Sequence, residues 1–323
     1  MAIPNSWNGR LKLPAIAAPM FLTSGPDLVV ETCRAGVVGT FPSLNRRTTD
    51  DYRIWLDEIE DRLSAHKNCA PFGVNLIVHK TNQRLTADLD VTVAHQVPLV
   101  ITSLGAVPDV VDAVHSYGGL VFHDVVTRRH AEKAAEAGVD GIIAVCAGAG
   151  GHAGAMNPFA LINEIKSVFC GTILLSGAIS TGSQIAAARM MGADLAYLGT
   201  RFLATEEAMV DARYKKMVTT STAADVLYTS KISGLPANFL RPSIIDAGLD
   251  PDDLPPSGDL GLTTQAQAWK TIWSAGQGIG AISDVPNTAD LCARLIDEYQ
   301  QAIGAVAQDP FGAAAVGTAI NPP

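Results

Sequence analysis

The chain has 323 residues, 48% hydrophobic and 17% charged, with a net charge of −9. That length and composition imply one large domain or two modest ones with a sizeable core, and exclude a disordered chain. The acidic balance argues for solubility and against a nucleic-acid partner, because basic residues occur only as isolated pairs such as Arg46–Arg47 and Arg128–Arg129.

Short apolar runs alternate with helical stretches from the start. A first strand is expected at Pro14–Ala18, then a helix at Pro26–Ala35 closed by Gly36, and a second strand at Val37–Phe41. Asp50–Ala65 has helical spacing, with Trp55, Ile59 and Leu63 on one face. Strands follow at Phe72–Val78, Leu99–Thr102, Leu120–His123, Gly141–Val145, Thr172–Ser176 and Leu195–Gly199. The later helices are expected at Pro108–Tyr117, Thr127–Ala137, Pro158–Phe169, Thr181–Met191 and Thr205–Met217.

Parallel strands need helical crossovers. Eight such units over about two hundred residues suit a (β/α)8 TIM barrel better than the alternative, an open doubly wound sheet. We therefore expect an α/β barrel over residues 10–220, with a phosphate site late in the barrel. Residues 221–305 are expected to form an irregular excursion over the barrel mouth and C-terminal helices packed on the barrel. Within them, Tyr228–Leu262 is rich in Pro, Gly and Asp, and helices are expected at Thr263–Ala275 and Thr288–Gly304. Residues 306–323 read as a loosely ordered tail.

Cys33, Cys69, Cys146, Cys170 and Cys292 are scattered, with no C-x-x-C pair. This disfavours a disulfide framework or a metal site. The N-terminus lacks a basic stretch followed by an apolar core, and no apolar run is long enough for a bilayer. A cytoplasmic protein with no membrane partner is expected.

The most informative segment is Gly141–Gly154, where a buried strand runs into a loop with four glycines in seven positions. Glycine lets backbone approach a ligand closely. His152 sits in the middle, and imidazole suits proton transfer near neutral pH. The plain alternative is a turn whose histidine only caps or hydrogen-bonds. At the C-terminal end of a barrel strand, catalysis is the better reading. Two further strands end in Gly plus a hydroxyl and open a helix: Ser176-Gly177-Ala178 with Ser180-Thr181-Gly182, and Gly199-Thr200. Backbone N–H groups there can cradle a phosphate. His66, His79, His95, His115 and His130 fall in flanking loops or helical stretches. Trp269 and Trp273 are spaced for packing.

These residues resemble the nitronate monooxygenase family, formerly the 2-nitropropane dioxygenases. Its relatives include FMN-dependent enoyl-acyl-carrier-protein reductases and NADH:quinone reductases. The likeness covers nearly all of residues 10–305. It rests on Ala18-Pro19-Met20, Gly73-Val74-Asn75-Leu76, Ala149–Gly154, Ser176–Ile179, Gly199–Thr205 and Ala275–Gly280. It implies FMN across the barrel mouth. Ala18, Pro19 and Met20 would pass the isoalloxazine, Asn75 would bond its polar edge, and Ala149, Gly150 and Gly151 would line it. Gly177, Ala178, Gly199 and Thr200 would hold the phosphate, and His152 would face the reactive side. Ser103, His123 and Gln277 are further candidates for substrate or flavin contact.

There is one departure. Many relatives carry His-Lys in the fifth-strand segment, where this chain has His123-Asp124. Asp124 in the same place reverses the charge beside the flavin, so either the flavin's potential differs or another cation substitutes, with Arg201, Lys231 and Arg241 as candidates. The resemblance implies FMN-dependent oxidation of alkyl nitronates with O2 to a carbonyl compound and nitrite. The competing reading is an NAD(P)H-dependent FMN reductase acting on quinones or an enoyl or acyl thioester. A third is a non-flavin binder of a phosphate ligand. In each the partner is a small molecule, with a homodimer left open as the assembly.

Overall fold

Eight parallel strands close into a barrel in the order β1 (Ala15–Ala17), β2 (Val38–Pro42), β3 (Phe72–Ile77), β4 (Leu99–Ser103), β5 (Leu120–Val125), β6 (Gly141–Val145), β8 (Thr172–Ser176) and β9 (Leu195–Leu198). The computed structural model describes residues 3–66, 68–105, 108–256, 270 and 272–313. The ring is sealed by β1 on β9, with Ile16 beside Tyr197. Helices follow the strands: α1 (Pro26–Arg34), α2 (Thr49–Ser64), α3 (Leu85–Ala94), α4 (Pro108–His115), α5 (Arg128–Glu136), α6 (Pro158–Lys166) and α7 (Gly182–Met190).

The alternation of side chains along each strand separates two cores. Ile16, Val38, Leu99, Ile101, Phe122, Ile143, Leu174 and Leu195 fill the barrel interior. Val74, Leu76, Val100, Val121, Ile142, Ile173 and Leu175 face the helices. Each such aliphatic side chain contributes roughly 1.5–3 kcal/mol by leaving water. Trp7 joins the inner core at 2% exposure and meets Phe122 with ring centroids 5.6 Å apart, so the N-terminal end of the barrel is plugged. The opening lies at the C-terminal ends of the strands.

Helix α3 was not expected. Its buried face includes Asp88, which accepts from Arg84 and Thr49 at 2.9 and 2.7 Å, and this carboxylate breaks the apolar periodicity. Of the helix expected at Thr205–Met217 only the later part is helical, in α9 (Ala212–Thr220), and a separate short helix, α8 (Thr200–Leu203), precedes the range. Between them Glu207 bonds the backbone and hydroxyl of Thr288, and Asp211 caps α9, which draws the chain out of a continuous helix.

The stretch expected to be irregular contains a strand pair, β10 (Val226–Thr229) and β11 (Ala237–Leu240). Strand β11 also pairs with β7 (Gly151–His152), giving a three-stranded sheet at the mouth. The short helix α10 (Arg241–Asp246) follows. Of the helix expected at Thr263–Ala275, residues 263–269 and 271, with Trp269, lie outside the described residues, and Ile272–Ala275 is not helical. Helix α11 (Thr288–Ala307) packs on α7, where the Gly182 amide donates to Glu298 at 2.7 Å. A helical turn at Pro310–Ala313 stands where a loose tail was expected, and 314–323 lie outside the described residues. Among the described residues no helix is long and apolar enough to cross a membrane.

Candidate active site

The inward positions at the strand ends are polar. Their parity follows from Ile101, Phe122, Leu174 and Leu195 in the inner core, which puts Asn75, Ser103, Asp124, Ser176 and Tyr197 on the same side. The first three form a row across β3, β4 and β5. Asn75 Nδ2 donates to the Ile101 carbonyl at 3.1 Å and to Ser103 Oγ at 2.8 Å. Ser103 Oγ donates to Asp124 Oδ2 at 2.5 Å, while Oδ1 is buried without a partner. Burial pushes the Asp124 carboxyl up to about 6, against a smaller lowering by Ser103. The Tyr197 phenol is raised by burial and by the neighbouring Asp124.

His123 does not join this row. It lies one residue before Asp124 and therefore points to the opposite side of the sheet, where its Nδ1 meets Thr102 Oγ1 at 2.8 Å. Burial lowers its pKa to about 4. It is a neutral histidine of the outer layer, and the expected substrate or flavin contact has no geometric support.

The glycine loop after β6 is fastened from above. Gly151 pairs with Asn238, and His152 with Ala237. The buried Asn238 donates from Nδ2 to the Ala149 carbonyl at 2.7 Å. The Gly151 amide donates to Ser274 Oγ at 2.6 Å, and Ser274 Oγ donates to the Asn238 carbonyl at 2.6 Å. Tyr228 reaches the Ala153 carbonyl at 3.1 Å. His152 thus has a rigid backbone and an exposed side chain. Protein packed against the ring's inner side lowers its pKa by desolvation.

Three turns meet this loop around a small cavity lined by Gly148, Ala149, Gly150, Ser176, Gly177, Ala178, Ser180, Tyr197, Gly199, Thr200, Gly276 and Gly278, among others. Ala178 has φ +56°, a left-handed conformation costly for a residue with a Cβ, and its amide donates to the Gly148 carbonyl at 3.3 Å. The Gln277 amide donates to the same carbonyl at 2.8 Å. Gly276 donates to Thr200 Oγ1 at 2.8 Å, which leaves the Thr200 hydrogen for another acceptor. Ser180 Oγ is buried with no partner. Ala18 and Met20 stand beside Gly199: a Cβ there would meet Met20 Sδ at 3.7 Å and Ala18 Cβ at 3.9 Å. Pro19 lies between them in the chain.

The first amides of α7 are not part of the cavity's donor set. Ser180 and Thr181 donate to Gln184 Oε1 at 2.7 and 3.2 Å, and Gly182 donates to Glu298. The expectation of a phosphate on this helix start is therefore narrowed to the turn before it, at Gly177 and Ala178. The suggested replacement cations are also engaged elsewhere. Arg201 pairs with Asp284 at 3.1 Å, Lys231 donates to the Leu254 carbonyl at 2.7 Å, and Arg241 pairs with Asp252 at 2.8 Å. None is bonded to Asp124.

Asn238, Ser274, Tyr228 and Tyr197 were missed in the sequence, whereas Ser180 stood in the glycine turn singled out there. For the first and third a signal existed. Val226–Thr229 and Ala237–Leu240 are β-branched and aromatic runs around Ser233-Gly234, the pattern of a hairpin. Ser274 had none, because its role depends on a contact 123 residues away.

A closed (β/α)8 barrel that gathers glycine turns, a histidine loop and a buried carboxyl at the C-terminal ends of its strands has the layout of a barrel enzyme. The chain belongs to the nitronate monooxygenase family, whose model matches residues 81–298. The chain spans just under two thirds of the length of two of the relatives it matches, 63% and 64%. It is 30% identical over 235 residues to Rv1533 of Mycobacterium tuberculosis, a protein named as a monooxygenase, covering 67% of this chain and 63% of that one. It is 26% identical to a nitronate monooxygenase of Paraburkholderia phytofirmans, over 90% of this chain and 93% of the relative. Its fold matches nitroalkane oxidase from Streptomyces ansochromogenes with a TM-score of 0.79 at 23% identity, over 92% of this chain and 98% of that structure.

Proposed function

We propose that this protein is an FMN-dependent nitronate monooxygenase, converting alkyl nitronates and O2 to a carbonyl compound and nitrite. The observation that carries the reading is the cavity where Gly177, Ala178, Gly199 and Thr200 meet the His152 loop, beside the Asn75–Ser103–Asp124 row. The donor set fits the cofactor. Ser180 Oγ is unpartnered, and Thr200 has a hydrogen to give; both suit the oxygens of a phosphate monoester. Glycine at 199 leaves backbone open to the mouth between Met20 and Ala18. Asn75 and Asp124 offer polar atoms where an apolar barrel would otherwise end.

When bound, FMN supplies the electron carrier between the nitronate and oxygen. Gly177, Ala178, Gly199 and Thr200 would hold its phosphate and Ala18, Pro19, Met20, Ala149, Gly150 and Gly151 would line its ring, with Gln277 beside Gly148 at the cavity. His152 removes the acidic proton next to a nitro group, or donates to the nitronate oxygens. Its lowered pKa keeps the imidazole neutral near pH 7, the form that accepts a proton.

The test is spectroscopic. The purified protein is expected to carry a flavin spectrum that bleaches without oxygen when a nitronate is added. Bleaching by NADH or NADPH, with none by a nitronate, would replace this reading with a reductase. A colourless protein that takes up no FMN would remove the flavin altogether.

A further inference from the structure

The hydrogen bonds of the Asn75–Ser103–Asp124 row run in sequence from Asn75 through Ser103 to Asp124. Asn75 spends its two amide hydrogens on the Ile101 carbonyl and on Ser103 Oγ, at 3.1 and 2.8 Å. The flipped amide would set oxygen against a carbonyl oxygen, so the assignment is forced. Ser103 has one hydrogen, and it goes to Asp124 Oδ2 at 2.5 Å. With Ser103 donating to Oδ2, the oxygen left to present a proton to a ligand is Oδ1, the buried one with no partner.

We propose that Asp124 is a neutral carboxylic acid in the barrel mouth, and that its Oδ1–H donates a hydrogen bond to a ring carbonyl of the bound isoalloxazine. This rests on the FMN reading above. The surroundings favour the neutral form. Strand β3 presents Asn75, β4 presents Ser103, β6 presents Ile143 and Val145, and β9 presents Tyr197, whose phenol is held neutral. On β5 itself His123 faces the other side. None of these carries a positive charge to balance a carboxylate, and burial raises the acid to about 6 in the protein alone. A carbonyl placed against Oδ1–H stabilises the neutral form further. Asn75 Oδ1 remains to accept a ring N–H, so the row offers one donor and one acceptor to an imide edge.

The experiment measures FMN dissociation constants by fluorescence on the full-length protein between about pH 5 and pH 9, for wild type, Asp124→Asn and Ser103→Ala. The ionisation of FMN's own phosphate falls in this range and is common to all three, so the ratio of wild type to Asp124→Asn is the readout. Wild type is expected to weaken relative to Asp124→Asn as pH rises above about 6, by up to about tenfold per unit, and to level off above the bound-state pKa. Ser103→Ala removes a bond that favours the ionised form, so its loss of affinity sets in at higher pH than in wild type. If Asp124→Asn does not fold, that displacement of Ser103→Ala against wild type carries the test. Infrared difference spectra of low against high pH are expected to show a protonated carboxyl band that is lost as pH rises, at higher pH in Ser103→Ala than in wild type. Flavin binding with a pH-independent ratio, or no displacement in Ser103→Ala, overturns the proposal and leaves the FMN reading standing. Failure of all three proteins to bind FMN overturns both.

Discussion

Asn238 and Ala149, far apart in sequence, are joined by a 2.7 Å bond from a buried amide to a loop carbonyl. This bond is how the hairpin holds the glycine loop in one shape beneath His152. Asn238→Ala leaves the Ala149 carbonyl unpaired, and such a loss costs about 1–3 kcal/mol. Urea denaturation is expected to show that drop, together with faster loss of flavin on dialysis. Unchanged stability with unchanged flavin retention would show that the hairpin does not support the loop.

Two glycines in the cavity wall should respond differently to alanine. At Gly276 a Cβ would stand 2.6 Å from the Gly148 carbonyl oxygen and 2.9 Å from the Gly150 nitrogen, both rigid backbone. At Gly199 the nearest atoms are at 3.7 and 3.9 Å. Gly276→Ala should lower the melting temperature and flavin affinity together. Gly199→Ala should fold normally and lose FMN affinity, because its methyl enters space meant for the ligand. Thermal melts beside FMN titrations separate the two, and equal melting losses would contradict the distinction.

His152→Asn keeps a hydrogen-bonding side chain but no titratable one. A positioned general base contributes about 10²–10⁴-fold. With a neutral nitroalkane as substrate, kcat/KM should fall within that range. With the preformed nitronate the fall should be smaller, since the proton is already gone. Equal losses on the two substrates would assign His152 to binding alone.

His123 makes a prediction about stability. Its folded pKa of about 4 lies below the ordinary 6.5, so the unfolded chain takes up a proton first as pH falls. Its contribution is fully present above pH 6.5 and is lost progressively down to about pH 4, a difference of about 3 kcal/mol. Denaturation curves at about pH 7 and pH 4.5 should therefore converge for His123→Gln relative to wild type. Acid sensitivity identical to wild type would place the titration elsewhere.

Much of the barrel was legible because burial on both faces of a parallel strand writes a short, nearly continuous apolar run. Runs such as Gly141–Val145 and Thr172–Ser176 match their strands end to end. Helix α3 escaped because Asp88 sits on its buried face and takes its partners, Arg84 and Thr49, from outside the helix. The same limit applied at the site. The glycine turns, Ser180 among them, announced themselves locally, whereas Ser274 and the lack of a partner for Ser180 Oγ carry no local mark.

Asp124 and its neighbour His123 divide what each level decides. From sequence alone they are two adjacent titratable groups at a strand end, each a candidate for the mouth. The strand's alternation turns them to opposite sides once the sheet closes into a barrel. One becomes a neutral imidazole against the helices, and the other a carboxyl facing the opening. The order of strands and the glycine turns followed from local pattern, since they depend on residue size and backbone freedom. Which side chains share the mouth, and which carboxyl oxygen stands without a partner, depends on register and burial, which exist only in the closed barrel.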